Sequence, residues 1–125
     1  MRLGREWVWG PDRTRLMELR NLFSGTGDPA DRETFDTLIE AETFRLERIV
    51  SHGQATPPGQ WLEQERDEWV VLLSGSAGLH FEGEAQPREM KPGDSLLIPG
   101  GCRHRVAWTD ADQPSVWLAL HFQLP

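Results

Sequence analysis

The spacing of apolar residues changes near residue 43. Before it, "DRETFDTLIEAE" (31–42) sets Phe35, Leu38 and Ile39 at i, i+3 and i+4, the stripe of a short amphipathic helix. Asp28-Pro29 supplies a start signal for that helix. After residue 43 the period falls to two. In "FRLERIVS" (44–51), Phe44, Leu46 and Ile49 alternate with Arg45, Glu47 and Arg48, and the slip in the pattern predicts a bulge near Arg48. "DEWVVLLSG" (67–75) is apolar on both faces from Trp69 to Leu73, which predicts burial on both sides. "AGLHFEG" (77–83) puts Leu79 and Phe81 on one face and turns His80 outward. A short strand and a turn follow in "AQPREMKPGD" (85–94), then strands in "SLLIP" (95–99), "HRVAWT" (104–109) and "SVWLALHF" (115–122). Short strands at this spacing, punctuated by Gly and Pro, predict an antiparallel sandwich or barrel. The chain therefore divides into an N-terminal arm with a short helix (1–42) and an all-β body (43–125).

Composition narrows the setting. A chain of 125 residues fits one domain, and no window approaches the ~18 apolar residues of a membrane span. The opening "MRLGREWVWGPDR" has charges and a proline where a signal peptide needs an apolar stretch. A net charge of −7 argues against nucleic acid or an anionic membrane as partner. The single Cys102 forms no intrachain disulfide, which suits a reducing compartment. The expectation is a cytoplasmic protein. Six tryptophans and no tyrosine point to large apolar bodies lining a core, a pocket or an interface.

Two residues carry the candidate chemistry. Glu68 opens the doubly apolar run. A carboxylate there either reaches water or an arginine at the strand end, or it is paired or bound to a cation. His104 follows the turn "PGGCR" (99–103). Period-two alternation puts His104, Val106 and Trp108 on one face, pointing inward. A packed core imidazole and a ligand both fit that position. His52 reads as an exposed loop residue, Cys102 as an incidental thiol, and Arg103 and Arg105 as surface ion-pair partners.

The two residues sit in a longer pattern. "EWVVLLSG" (68–75) reads E-x6-G, and "GDSLLIPGGCRH" (93–104) reads G-x5-P-x-G-x2-H. Over about residues 44–123 the pair resembles the two motifs of the cupin superfamily. The stretch "ERIVSHGQATPPGQWLEQERDEWVVLL" is similar to small bacterial single-domain cupins of unassigned activity. The resemblance implies an all-β double-stranded β-helix, or jelly-roll barrel, with a metal at Glu68 and His104. It also shows a departure: the H-x-H that precedes the glutamate in metal-binding cupins is missing from "WLEQERDE" (61–68). Gln64 offers a carbonyl oxygen there and Glu63 a carboxylate.

In "SVWLALHFQ", Trp117, Ala119 and His121 share one face. If that face lines the barrel, His121 joins Glu68, His104 and Gln64 around a divalent ion, with zinc, iron and manganese all chemically suited. Trp61, Trp108 and Trp117 are the expected pocket walls. The resulting expectation is a small metal-binding cupin, either a metal-dependent enzyme acting on a small organic molecule or a non-catalytic ligand-binding or sensing module. A third arrangement is a metal-free barrel in which Glu68 and His104 hydrogen-bond across the cavity. A homodimer is expected, with the arm bearing Trp7 and Trp9 able to cover a sheet edge or a neighbour.

Overall fold

A computed structural model describes residues 17–27 and 31–123. Eight strands follow one another: β1 (Thr34–Glu40), β2 (Phe44–Ser51), β3 (Asp67–Ser74), β4 (Ala77–Phe81), β5 (Arg88–Met90), β6 (Ser95–Ile98), β7 (His104–Thr109) and β8 (Ser115–Phe122). They form a five-stranded sheet of order β1-β2-β8-β3-β6 and a three-stranded sheet of order β5-β4-β7. From β3 onward the chain repeatedly crosses between the sheets, so neighbours in space are distant in sequence. All strand pairs are antiparallel. This is the jelly-roll arrangement that alternating short strands favour.

The inner faces meet in an apolar cluster of Val70, Leu72, Ala77, Leu79, Phe81, Met90, Ile98 and Trp117. Leu72 is fully buried, and burying such a side chain contributes about 1.5–3 kcal/mol. The Trp117 indole sits in this core and donates from Nε1 to Ser51 Oγ at 3.3 Å.

The predicted helix at 31–42 is a strand. Among the described residues there is no α-helix, and β1 lies along β2 from Thr34 opposite Val50 to Glu40 opposite Arg45. A short helix alone is marginal in water, whereas pairing with β2 satisfies the backbone of 34–40. The misleading 3–4 spacing has a local cause. A register irregularity between Thr37 and Ile39 shifts the alternation, so Phe35 faces the cavity while Ile39 pairs with Leu46 on the other side. The bulge expected near Arg48 is thus on β1, and β2 runs in unbroken register with β8. Asp28-Pro29, Trp7 and Trp9 lie outside the described residues.

A second irregularity moves Trp108. Leu79 pairs with Val106, but Gly78 pairs with Trp108. Ala107 is therefore the extra residue of a bulge, which reverses the faces beyond it. Val106 stays inward, and Trp108 turns outward over Gly78. A Cβ on Gly78 would stand 2.2 Å from Trp108 Nε1, so glycine is what lets the indole lie flat there.

Candidate metal and ligand cavity

The turn at 99–101 builds one wall of the site. Gly100 N donates to Asp67 Oδ1 at 2.8 Å, and Gly101 N donates to Gln64 O at 2.7 Å. A Cβ on Gly100 would stand 2.1 Å from Glu65 O, so only glycine allows the two segments to approach this closely. Next, His104 and Leu62 exchange backbone hydrogen bonds at 2.6 and 3.0 Å. These contacts hold the 62–67 segment, and with it Gln64 and Glu68, against the start of β7.

Pairing supplies the other wall. Arg45, His121, Glu68 and Ile98 stand opposite one another across β2, β8, β3 and β6. Directly opposed residues share a face, and here that face is the barrel interior. The next inward residues are Glu47, Ala119, Val70 and Leu96. The result is a cavity of about 610 Å³ whose lining includes Glu47, Gln64, Glu68, His104, Trp117 and His121. That volume lies in the range of small-molecule sites.

Glu68 and His104 converge. Glu68 Oε1 lies 4.0 Å from His104 Nε2, and both side chains are largely buried. His104 Nδ1 is 2.9 Å from Cys102 O. A carbonyl only accepts, so Nδ1 carries a proton there and Nε2 is the ring nitrogen that faces Glu68. Metal-bound histidines are held in this same way. Gln64 Nε2 donates to Glu68 Oε1 at 2.8 Å.

His121 lines the same cavity but is engaged elsewhere. Its Nε2 lies 2.9 Å from Glu47 Oε1, and both residues are buried. Ala119 stands opposite Glu47, and its small side chain leaves room for the imidazole two residues away to lean across. Arg45 Nε approaches Glu47 Oε2 at 3.7 Å. Among the described residues, no group of three or more His, Cys, Asp and Glu side chains gathers as metal ligands would.

Of the three tryptophans expected to line the pocket, Trp117 does so. Trp108 is outward, for the reason given above. Trp61 packs outside, with its ring 5.6 Å from that of His80 and the Arg103 guanidinium 5.7 Å above it. Arg103 also pairs with Glu82. His80 is turned away from the cavity, as alternation predicts, with Nε2 2.7 Å from Glu84 O.

Glu47 and Arg45 escaped the sequence reading. The stretch 44–51 alternates, but nothing local says that its charged side faces inward. The signal lies on another strand: His121 and Glu68 are inward, and Arg45 is in register with both.

A double-sheet jelly roll with an acid and an imidazole converging in its interior defines the cupin class. A family model for the cupin domain matches residues 48–121, and the chain belongs to that family. Among curated proteins, none matches the chain. A solved structure from Ralstonia eutropha JMP134, named a putative mannose-6-phosphate isomerase, is 50% identical with a TM-score of 0.83 and covers 86% of this chain and 99% of its own. A protein of Thermus thermophilus is 19% identical, with a TM-score of 0.69 over 87% of this chain and 100% of its own. A cupin superfamily protein of Desulfitobacterium hafniense DCB-2 is 15% identical, with a TM-score of 0.62 over 95% and 94%. The last two are similar in fold alone. Among the described residues, no helix is long and apolar enough to cross a membrane.

Proposed function

We infer that this protein is a small metal-binding cupin whose cavity holds a divalent cation at Glu68 and His104 and takes a small organic molecule beside it. One observation carries the reading: Glu68 Oε1 and His104 Nε2 are 4.0 Å apart in one cavity, within the span of two ~2.1 Å metal bonds. The donors fit zinc, iron or manganese, a carboxylate and an imidazole being common to all three. Gln64 completes the set if its amide turns its oxygen inward, and His121 does so by releasing Glu47. When bound, such an ion polarises a ligand oxygen or activates water. The chain's own groups orient and exchange protons: Gln64 holds Glu68, and the Glu47–His121 pair faces the ligand space as a proton acceptor or donor.

The name of the 50%-identical neighbour points to a sugar phosphate as the substrate class and isomerisation as the reaction. A non-catalytic binding or sensing module is the second reading. It is favoured by the absence of histidine from 61–64 and by the small number of converging ligands. A homodimer in the cytoplasm completes the proposal.

Elemental analysis of untagged protein tests the site. We expect about one metal ion per chain, retained in Glu63→Ala and lost in Glu68→Ala and His104→Ala. Metal that survives both of the latter substitutions refutes the assignment. Isomerisation of mannose 6-phosphate by the metal-loaded protein, abolished by Glu68→Ala, favours the enzyme; saturable binding without turnover favours the module.

A further inference from the structure

One charged side chain of the cavity wall has its hydrogen bonds unspent. Arg45 lines the cavity, and its Nε is one of two buried side-chain donors that lack an acceptor among the described residues. The other, Arg105 Nε, belongs to a guanidinium already anchored on Thr56 O at 2.7 Å. Arg45 Nε stands 3.7 Å from Glu47 Oε2, outside hydrogen-bond reach, and Glu47 Oε1 is taken by His121. The acids around it are engaged as well, Glu68 by Gln64 and Glu33 by Ser51. Among the described lining residues, Arg45 is also the one lysine or arginine. A guanidinium keeps its charge and presents five donors in a planar fork that matches a carboxylate. A buried donor without a partner calls for an acceptor, and here the open side is the cavity.

The wall changes character going inward. Along β2 the inward positions run Arg45, Glu47, Ile49, and Ile49 stands opposite Trp117 on β8. Four residues of strand span ~13 Å. The inner part is lined by Ile49, Val70, Leu79, Val106 and Trp117. The one polar atom of the Trp117 side chain is spent on Ser51, so this floor offers a ligand no hydrogen-bond partner. A hydroxyl buried against it would go unpaired. A sugar phosphate suits the Arg45 end and not the floor, since its carbons carry hydroxyls throughout.

We propose that Arg45 is the carboxylate receptor of the cavity and that the ligand is a small organic acid, its charged head on the Arg45 fork and its apolar body on the Ile49–Trp117 floor. This rests on the reading of a ligand cavity given above and narrows its ligand class. The metal site at Glu68 and His104 lies two strands from Arg45 across β8, ~10 Å between backbones, so the head and the ion have separate seats.

Titration calorimetry with 3-phenylpropanoate tests it, with neutral 3-phenylpropanamide and mannose 6-phosphate as comparisons. We expect one acid per chain, bound at least tenfold more tightly than the amide. In the series from butanoate to hexanoate, affinity should rise about threefold to fourfold per methylene. Arg45→Gln should cost the acid tenfold or more and leave the amide unchanged, a split that general damage to the cavity would not produce. Arg45→Lys should recover part of the loss, and far-UV signal and metal content should match the wild type in both variants. Glu68→Ala should still bind the acid and still lose it when Arg45→Gln is added, which separates this receptor from the metal. Acid binding indifferent to Arg45→Gln overturns the receptor and leaves the metal reading standing. Mannose 6-phosphate bound more tightly than every acid overturns the apolar ligand class. No binding of any of these molecules overturns this proposal and the ligand cavity together, while elemental analysis judges the metal on its own.

Discussion

The two ends of the barrel interior are lined by the same strands and do opposite work. Along β3, the inward positions run Glu68, Val70, Leu72, and along β8 they run His121, Ala119, Trp117. At the Leu72 end the sheets close on a cluster with Ala77, Leu79 and Met90. At the Glu68 end they stay apart around Glu47, Glu68, His104 and His121. Nothing in strand geometry distinguishes the two ends, since both obey the same alternation. What differs is the chemistry placed at the inward positions and the turn at 99–101, which pins the 62–67 segment over one end only. A buried polar group costs stability unless it is satisfied. The Glu68 end is therefore a place where polar side chains stand in for apolar contact.

Substitutions should treat the two ends differently. Leu72→Ala, in the closed end, should lower stability by about 2–5 kcal/mol through the cavity it leaves, with metal content unchanged in the fraction that remains folded. Chemical denaturation read by far-UV signal measures this. Gly100→Ala should cost about 1–3 kcal/mol, because the new methyl must displace the Glu65 backbone. It should also weaken metal binding, since that displacement moves Gln64 and Glu68 away from β7. Loss of stability without loss of metal affinity would break the link between turn and site.

Glu68→Ala should change the stability of the metal-free protein by no more than about 1 kcal/mol, since it removes a buried carboxylate together with a single hydrogen bond. The same substitution should abolish the thermal stabilisation that added zinc gives the wild type, which mass action predicts for a ligand bound only to the folded state. Comparing melting temperatures with and without metal checks both halves.

The smallest effect expected is at the closed end's rim. The Asp110 carboxyl is held below its ordinary range, first by the backbone N–H of Asp112 and then by the Gln113 side chain, with a further hydrogen bond from Ser76. A group held low in the folded state stabilises above its unfolded pKa and loses that contribution as pH falls through the lower folded value. Asp110→Asn should therefore lower the melting temperature slightly at pH 7 and not at pH 2–3. Because the group is exposed, high salt should shrink the difference further.

How legible this molecule is in its sequence varies from residue to residue. Seven of its strands can be read locally: 44–51, 77–83 and 104–109 carry the period-two signal, 67–75 is a doubly apolar run, and Gly and Pro breaks mark off the short pieces in 85–94, 95–99 and 115–122. β1 cannot, because a bulge at Leu38 imitates a helical stripe and only pairing with β2 reveals the strand. Glu68 and His104 can be singled out from E-x6-G and G-x5-P-x-G-x2-H. The Glu47–His121 contact cannot, since it joins residues 74 positions apart through a register that no local pattern encodes. Trp108 shows the same limit. Its alternation with His104 is correct until Ala107 interrupts it, and that interruption exists only against β4.

By itself, the order of amino acids determined the all-β body and the glycine turn before His104, and its resemblance to the two cupin motifs picked out the acid and the imidazole. The first two depend on neighbours within about ten residues, where backbone preference and side-chain alternation act directly. Tertiary structure alone decided which side of β1, β2 and β8 faces the cavity. It set His121 on Glu47 and left Trp61 and Trp108 outside. Those outcomes follow from strand pairing, in which a one-residue shift of register exchanges the two faces of a sheet.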